Sequence, residues 1–341
     1  MSELAALRLR AQLLSGSPAA DAEAVVGRLL AVQAQDARGA RLAVRTRSAG
    51  LSGSHVDRAL TEDRSLLITW LCRGTLHLVR REDYPWLQAL TTPPLVKGNL
   101  RRLAQEGVSP AAAERGVETV ERALAAEGPL TREQLRERLD GAGHSTAGQA
   151  PVHVLLKACL SGVAVRGPIE EGRHAYALVR DWLGEPPPVD RDAALAELAR
   201  RYLAGHGPAS DRDLSRWAGL PLRDARAGLA AIAPELEERR DGMVALAGGA
   251  PADELPPPRL LGQFDPLLLG WISREFVLGS HADVVTKNGI LRAIALVNGR
   301  AAGTWRMPRG EVVLEPFGPM GSADAAALEA EAVDVARYLE S

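Results

Sequence analysis

A chain of 341 residues with 46% hydrophobic and 25% charged side chains is ordinary for a globular protein and long enough for two to four compact units. Lysine plus arginine (41) against aspartate plus glutamate (43) leaves a net charge of −2, which excludes a globally basic nucleic-acid binder and confines any DNA surface to a local lining. Two cysteines, Cys72 and Cys159, exclude a disulfide framework; with no 18-residue apolar run and no signal-peptide layout, a cytoplasmic protein is expected.

Leucines at 4, 7, 9, 13 and 14 predict a first helix over 1–14, ending near Gly16 and Pro18. Asp21 is placed to cap a second helix that carries on into Gln33 and Gln35. An arginine-rich stretch, 38–47, precedes a short helix opened by Ser54. Residues 66–80 then alternate around Arg73-Gly74 as a β-hairpin does, and helices followed by a hairpin describe a winged helix.

The pattern returns in 111–126, in a helix capped by Thr131 with Gln134 three residues on, and in a helix over 149–161. Extended segments at 163–165 and 176–178 follow, joined through 167–173. After Pro186-Pro187-Pro188 comes a third copy, with helices at 192–204, 211–217 and 222–232 and strands near 236–246. The openings Gly128-Pro129-Leu130-Thr131 and Gly207-Pro208-Ala209-Ser210 mark the repeat. Beyond a linker at 251–258, residues 259–315 are strand-rich. There Asn298-Gly299 joins 293–297 to 301–306, and a helix at 322–339 closes the chain.

Within Leu29-Leu30-Ala31-Val32-Gln33-Ala34-Gln35-Asp36, the helical pattern gives an inward slot to Gln33 rather than to an apolar residue. On a continuous helix Gln33 and Gln35 point about 200° apart, so they share a site only if the backbone has left the helix by Gln35. Two carboxamides beside a carboxylate, followed by Arg38, Arg41, Arg45 and Arg47, describe a polar site beside an anion-binding surface. The same residues also fit a solvated helix end.

This stretch, with Ile68-Thr69-Trp70-Leu71-Cys72-Arg73-Gly74-Thr75-Leu76-His77 and Gln263-Phe264-Asp265-Pro266, resembles the AlkZ/YcaQ family of tandem winged-helix DNA glycosylases. The resemblance runs in order over nearly the whole chain. The Gln-x-Gln form is similar to the AlkZ-type branch, associated with bulky alkylation damage and interstrand crosslinks; the other branch carries Gln-x-Asp. It implies an α+β fold of three tandem winged-helix units, 1–108, 109–185 and 186–250, and a β-barrel-like module over 251–341. These are expected to form a C-shape around a central channel.

The resemblance makes Gln33 and Gln35 the catalytic pair. An N7-alkylated purine is already cationic and leaves as a neutral base, so oriented amide dipoles and a positioned water can suffice. Asp36 is a support, base or salt-bridge candidate. Thr75 and His77 are candidates for the lesion pocket, His77 equally fitting a structural role. Arg38, Arg41, Arg45, Arg73, Lys97, Arg101 and Arg102 are candidate DNA contacts, with a second basic wall from Arg274, Arg292, Arg300, Arg306 and Arg309. Asp265 is expected to cap its own loop. No metal-ligand spacing is present and no cofactor is expected.

The expected activity is a monofunctional glycosylase, because no lysine adjoins the motif to form a Schiff base. Its expected partner is double-stranded DNA bearing alkylated or crosslinked bases, met as a monomer in the cytoplasm at the nucleoid. Two alternatives stay open: a non-catalytic winged-helix regulator, and a resistance protein that sequesters an alkylating drug.

Overall fold

The computed structural model describes residues 2–170, 172–249 and 254–340. Part of the expected linker (251–253) and one residue of the 167–173 connection lie outside them. Helix α1 (Glu3–Ala11) begins where Ser2 Oγ accepts from Ala5 N. It is shorter than 1–14 because Leu13 takes a φ of 57°. Helix α2 (Ala22–Leu29) is capped as expected, with the Asp21 carboxylate accepting from Ala24 N at 2.7 Å.

The expected run of α2 into the glutamines is corrected. Leu30 adopts φ 67° and ψ −50°, and Ala31 N donates to Leu29 O at 2.9 Å, a tight γ-turn that ends the helix. Gln33 therefore sits not on a helix face but in a short extended segment, β1 (Val32–Gln33). The chain re-enters helix at α3 (Ala37–Arg45).

Helix α4 (Gly53–Thr61) leads into the hairpin of β2 (Leu66–Leu71) and β3 (Thr75–Arg80), paired from Leu66↔Arg80 to Leu71↔Thr75. Two unanticipated helices follow, α5 (Tyr84–Thr91) and α6 (Pro93–Gln105). Both carry proline in the first turn, where no backbone donor is needed. Next come α7 (Pro110–Glu127), β4 (Leu130–Thr131) and α8 (Arg132–Gly141). The capping box holds: Gln134 N donates to Thr131 Oγ1 at 3.3 Å and Thr131 N to Gln134 Oε1 at 2.8 Å. Helix α9 (Ala150–Leu160), strands β5 (Ala164–Glu170) and β6 (Arg173–Leu178), and α10 (Val179–Leu183) complete this half.

The third copy comprises α11 (Arg191–His206), α12 (Asp211–Ala218), α13 (Leu222–Ala231), β7 (Leu236–Glu238) and β8 (Val244–Leu246). The C-terminal part holds β9 (Arg259–Leu261), α14 (Glu275–Leu278), β10 (Ile294–Val297), β11 (Arg300–Arg306), β12 (Val313–Pro316) and α15 (Ser322–Glu340). Asn298 and Gly299 have φ of 49° and 75°, the paired positive values a two-residue hairpin turn of type I′ demands.

These elements form two compact units that gather distant segments: residues 1–56, 195–217 and 221–341, and residues 57–194 with 218–220. In the second, antiparallel strands lie in the order β3-β2-β5-β6-β4, and its core includes Val120, Leu124, Leu135, Leu155 and Tyr176. In the first, the strands lie in the order β12-β11-β10-β9, an open antiparallel sheet rather than a closed barrel. Leu328 and Val335 of α15 and Leu42 of α3 pack with Leu260, Ala295 and Trp305 of that sheet.

The first unit is pinned by a fully buried ion pair. Arg47 donates to Asp265 through both terminal nitrogens, at 2.7 and 2.9 Å, and neither side chain is exposed. Arg47 also donates to Gln12 O at 2.8 Å and to Ala43 O at 3.0 Å, while Gln12 Nε2 donates to Gly205 O at 2.7 Å. Asp265 does cap its own loop, accepting from Leu267 N at 2.9 Å. Arg47 is thus a structural residue, not part of an anion-binding surface. Beside this clamp α3 abuts the Gln263 loop so closely that a Cβ on Gly39 would collide with Gln263 O.

Removing one partner of a buried, fully hydrogen-bonded pair strands the other charge. Asp265→Ala is expected to lower unfolding free energy by about 3–5 kcal/mol, read from urea denaturation. The double variant Arg47→Met/Asp265→Ala is expected to lose less than the sum of the two single variants.

Candidate active site

The γ-turn at Leu30 sets the local geometry of the motif. Leu29, Leu30 and Val32 are fully buried, anchoring the backbone on both sides of the turn. Gln33 follows at 7% exposure, and Gln35, past the end of the extended segment, is exposed. The departure from helix that a shared site requires therefore occurs five residues before Gln35.

Asp36 is the N-cap of α3, its carboxylate accepting from Arg38 N at 3.2 Å. The negative charge lies where the first turn's free amides and the helix dipole favour it. This is a structural role that the sequence reading had not weighed. Of the arginines that follow, Arg38 is exposed, with no ion-pair partner among the described residues, and Arg41 is half-buried. Arg45 is different. It is buried and donates to Glu331 and Asp334 of α15 at 2.6 Å each, joining α3 to the closing helix rather than facing outward.

A cavity of about 460 Å³ opens beside the motif. Asp36, Arg38 and Gln263 line one side, and Arg292, Thr304 and Arg306 of the C-terminal part line another. Glu315, also at its edge, accepts from Arg306 Nε at 2.9 Å and is held below the usual carboxylate range by that bond. Sequence reasoning had placed Arg292 and Arg306 on a basic wall but had not joined them to the motif.

In the other unit, Thr75 and His77 stand two apart on β3, with Thr69 opposite His77. Arg73 belongs to the turn between the two strands rather than to either of them. His77 Nδ1 lies 2.9 Å from Thr75 O, and burial, with Arg73 nearby, pushes its pKa down to about 3. It is a neutral imidazole at physiological pH. Thr75 Oγ1 is buried without a hydrogen-bond partner among the described residues. Lys97, Arg101 and Arg102 are exposed on α6, where Arg102 donates to Gln105 Oε1 at 2.6 Å.

The model of the AlkZ-like DNA glycosylases matches residues 26–338. The chain belongs to that family. It is 31% identical to an interstrand DNA cross-link repair glycosylase of Streptomyces sahachiroi, over 97% of this chain and 94% of that protein. The structure of the DNA glycosylase AlkZ from Streptomyces sahachiroi superposes with a TM-score of 0.78 at 28% identity, covering 98% of this chain and 95% of that one.

Family membership decides for an enzyme acting on DNA over a non-catalytic regulator. The two thiols of this AlkZ-like glycosylase are buried, and burial pushes Cys72 up to about 11 and Cys159 up to about 12. They behave as small hydrophobes. Among the described residues there is no cluster of three or more potential metal ligands, and no helix is long and apolar enough to cross a membrane.

His77 also makes a stability prediction. Its folded pKa of about 3 lies below the unfolded value near 6.5, so its contribution is complete above about pH 6.5 and is lost as pH falls. The stability difference between wild type and His77→Gln is expected to narrow between pH 7 and pH 5 in urea titrations. A constant difference would show that His77 is not held neutral.

Proposed function

We propose that this glycosylase removes N7- and N3-alkylated purines from duplex DNA by water attack at C1′. The water oxygen forms the new bond to C1′, the bond from C1′ to N9 breaks, and its electron pair neutralises the cationic base. The water's proton passes to solvent. Gln33 and Gln35 orient the water and place their amide dipoles against the oxocarbenium-like sugar.

The observation that carries this reading is the environment of the pair. Two neutral carboxamides stand at the end of an extended segment and two residues beyond it, while one oxygen of the neighbouring Asp36 carboxylate caps α3. The two amides offer polarity without acid or base strength of their own, which suits a leaving group already charged. The Streptomyces sahachiroi relative is named for interstrand cross-link repair, and we extend the proposal to unhooking bulky or crosslinked adducts. Arg38, Arg41, Arg73, Lys97, Arg101 and Arg102 would hold the backbone phosphates. Arg45, buried and paired, is left out. In this reading the winged helices are 1–108, 109–185 and 186–250, a further module spans 251–341, and the enzyme works as a cytoplasmic monomer.

The test is base release. A duplex with one N7-methylguanine is incubated with enzyme, and abasic sites are cleaved with alkali. Gln35→Ala, matched to wild type in melting temperature, is expected to slow single-turnover release by about 10²–10³-fold, the effect of deleting one preorganised dipole. Unchanged release in that variant would remove Gln35 from the chemistry.

A further inference from the structure

The cavity beside the motif has a floor that phosphate binding does not require. Leu42, Ala293, Trp305 and Met307 line it together with the polar rim. Trp305 is 6% exposed and its Nε1 donates to Leu261 O at 2.9 Å, so the indole has only ring carbon left to offer. The anion position at the start of α3 is meanwhile filled by the protein's own Asp36. At about 460 Å³ the space falls in the size range of small-molecule sites, and its lining mixes these four apolar residues with a larger number of polar and charged ones.

We infer that this cavity is a subsite for the substituent of a bulky lesion: an aromatic or extended apolar group carried on the alkylated base. The inference rests on the glycosylase reading of the preceding subsection and adds to it where the adduct goes. Asp36, a wall residue, directly follows Gln35, and consecutive Cα atoms lie about 3.8 Å apart. The proposal sets a purine with C1′ at Gln35 and its N7 substituent turned toward the cavity. Trp305 and Met307 take the apolar body of that group, while Gln263 and the guanidinium of Arg38 meet polar atoms along it. An adduct too large for a closed base pocket is in this way held without one.

Filling the space tests the inference. Ala293 lines the cavity and is half-buried; the bond that Trp305 N donates to its carbonyl at 3.1 Å involves only backbone, so it survives substitution. Single-turnover release is measured from duplexes with N7-benzylguanine or N7-methylguanine, using wild type, Ala293→Phe and the smaller Ala293→Leu. Ala293→Phe is expected to slow benzyl release by about tenfold relative to methyl release, with a smaller shift in Ala293→Leu. If Ala293→Phe fails to melt cooperatively, the Ala293→Leu ratio decides. Equal changes on both lesions, or none on either, overturn the inference. So does a benzyl preference abolished by inorganic phosphate yet indifferent to both substitutions, which would mark an anion site.

Should wild type release neither base, the glycosylase reading fails, and equilibrium dialysis of the free bases judges the subsite by itself. Tighter binding of N7-benzylguanine than of N7-methylguanine, with the difference lost in Ala293→Phe, supports it. Equal binding, or a difference that Ala293→Phe leaves intact, overturns it.

Discussion

The buried pair of Arg47 and Asp265 is the constraint on which the first unit turns. Its partners are separated by 218 residues, and both are withdrawn wholly from water. Two such charges are tolerated only with nearly complete hydrogen bonding. Arg47, just past α3, meets that demand by reaching the end of α1 through Gln12, α3 through Ala43 and the Gln263 loop through Asp265. Gln12 in turn reaches α11 through Gly205. The clamp thereby holds α3, whose N-cap follows directly on Gln35, against the C-terminal part. The bare backbone of Gly39 lets that contact close. Arg45, with Glu331 and Asp334, ties the same helix to α15.

Much of the local structure was legible because it is written in short-range chemistry. The Asp21 cap, the Thr131 and Gln134 capping box and the Asn298-Gly299 turn each depend on residues within a few positions of one another. The end of α2 was not legible. Leu30 is a good helix former, and only tertiary anchoring of its buried side chain holds it at positive φ. The arginines after the motif share a helix, so spacing alone made Arg38, Arg41 and Arg45 look alike. What separates them is the acidic face of α15, nearly three hundred residues away. Asp265 was readable as a loop cap for the same local reason, whereas its partner Arg47 was not.

The resemblance carried the family assignment, and the residues alone would not have done so. Two glutamines near a helix end are equally good as solvated side chains. In the proposed reading their significance comes from the family motif and from the turn that places them outside a helix. Asp36 caps α3 through one carboxylate oxygen. In the proposed mechanism the motif's chemistry is dipolar: orientation and charge stabilisation without proton transfer. That mechanism would select substrates whose base departs without being protonated.

Lesion charge therefore tests the account most directly. Single-turnover excision is compared, in one duplex context, between cationic N7-methylguanine and the uncharged base hypoxanthine. A pair of carboxamides acting on a preformed cation predicts rapid release of the methylated base and none of hypoxanthine above the spontaneous rate. Comparable release of both would require an acid that protonates the leaving base, and would contradict the account.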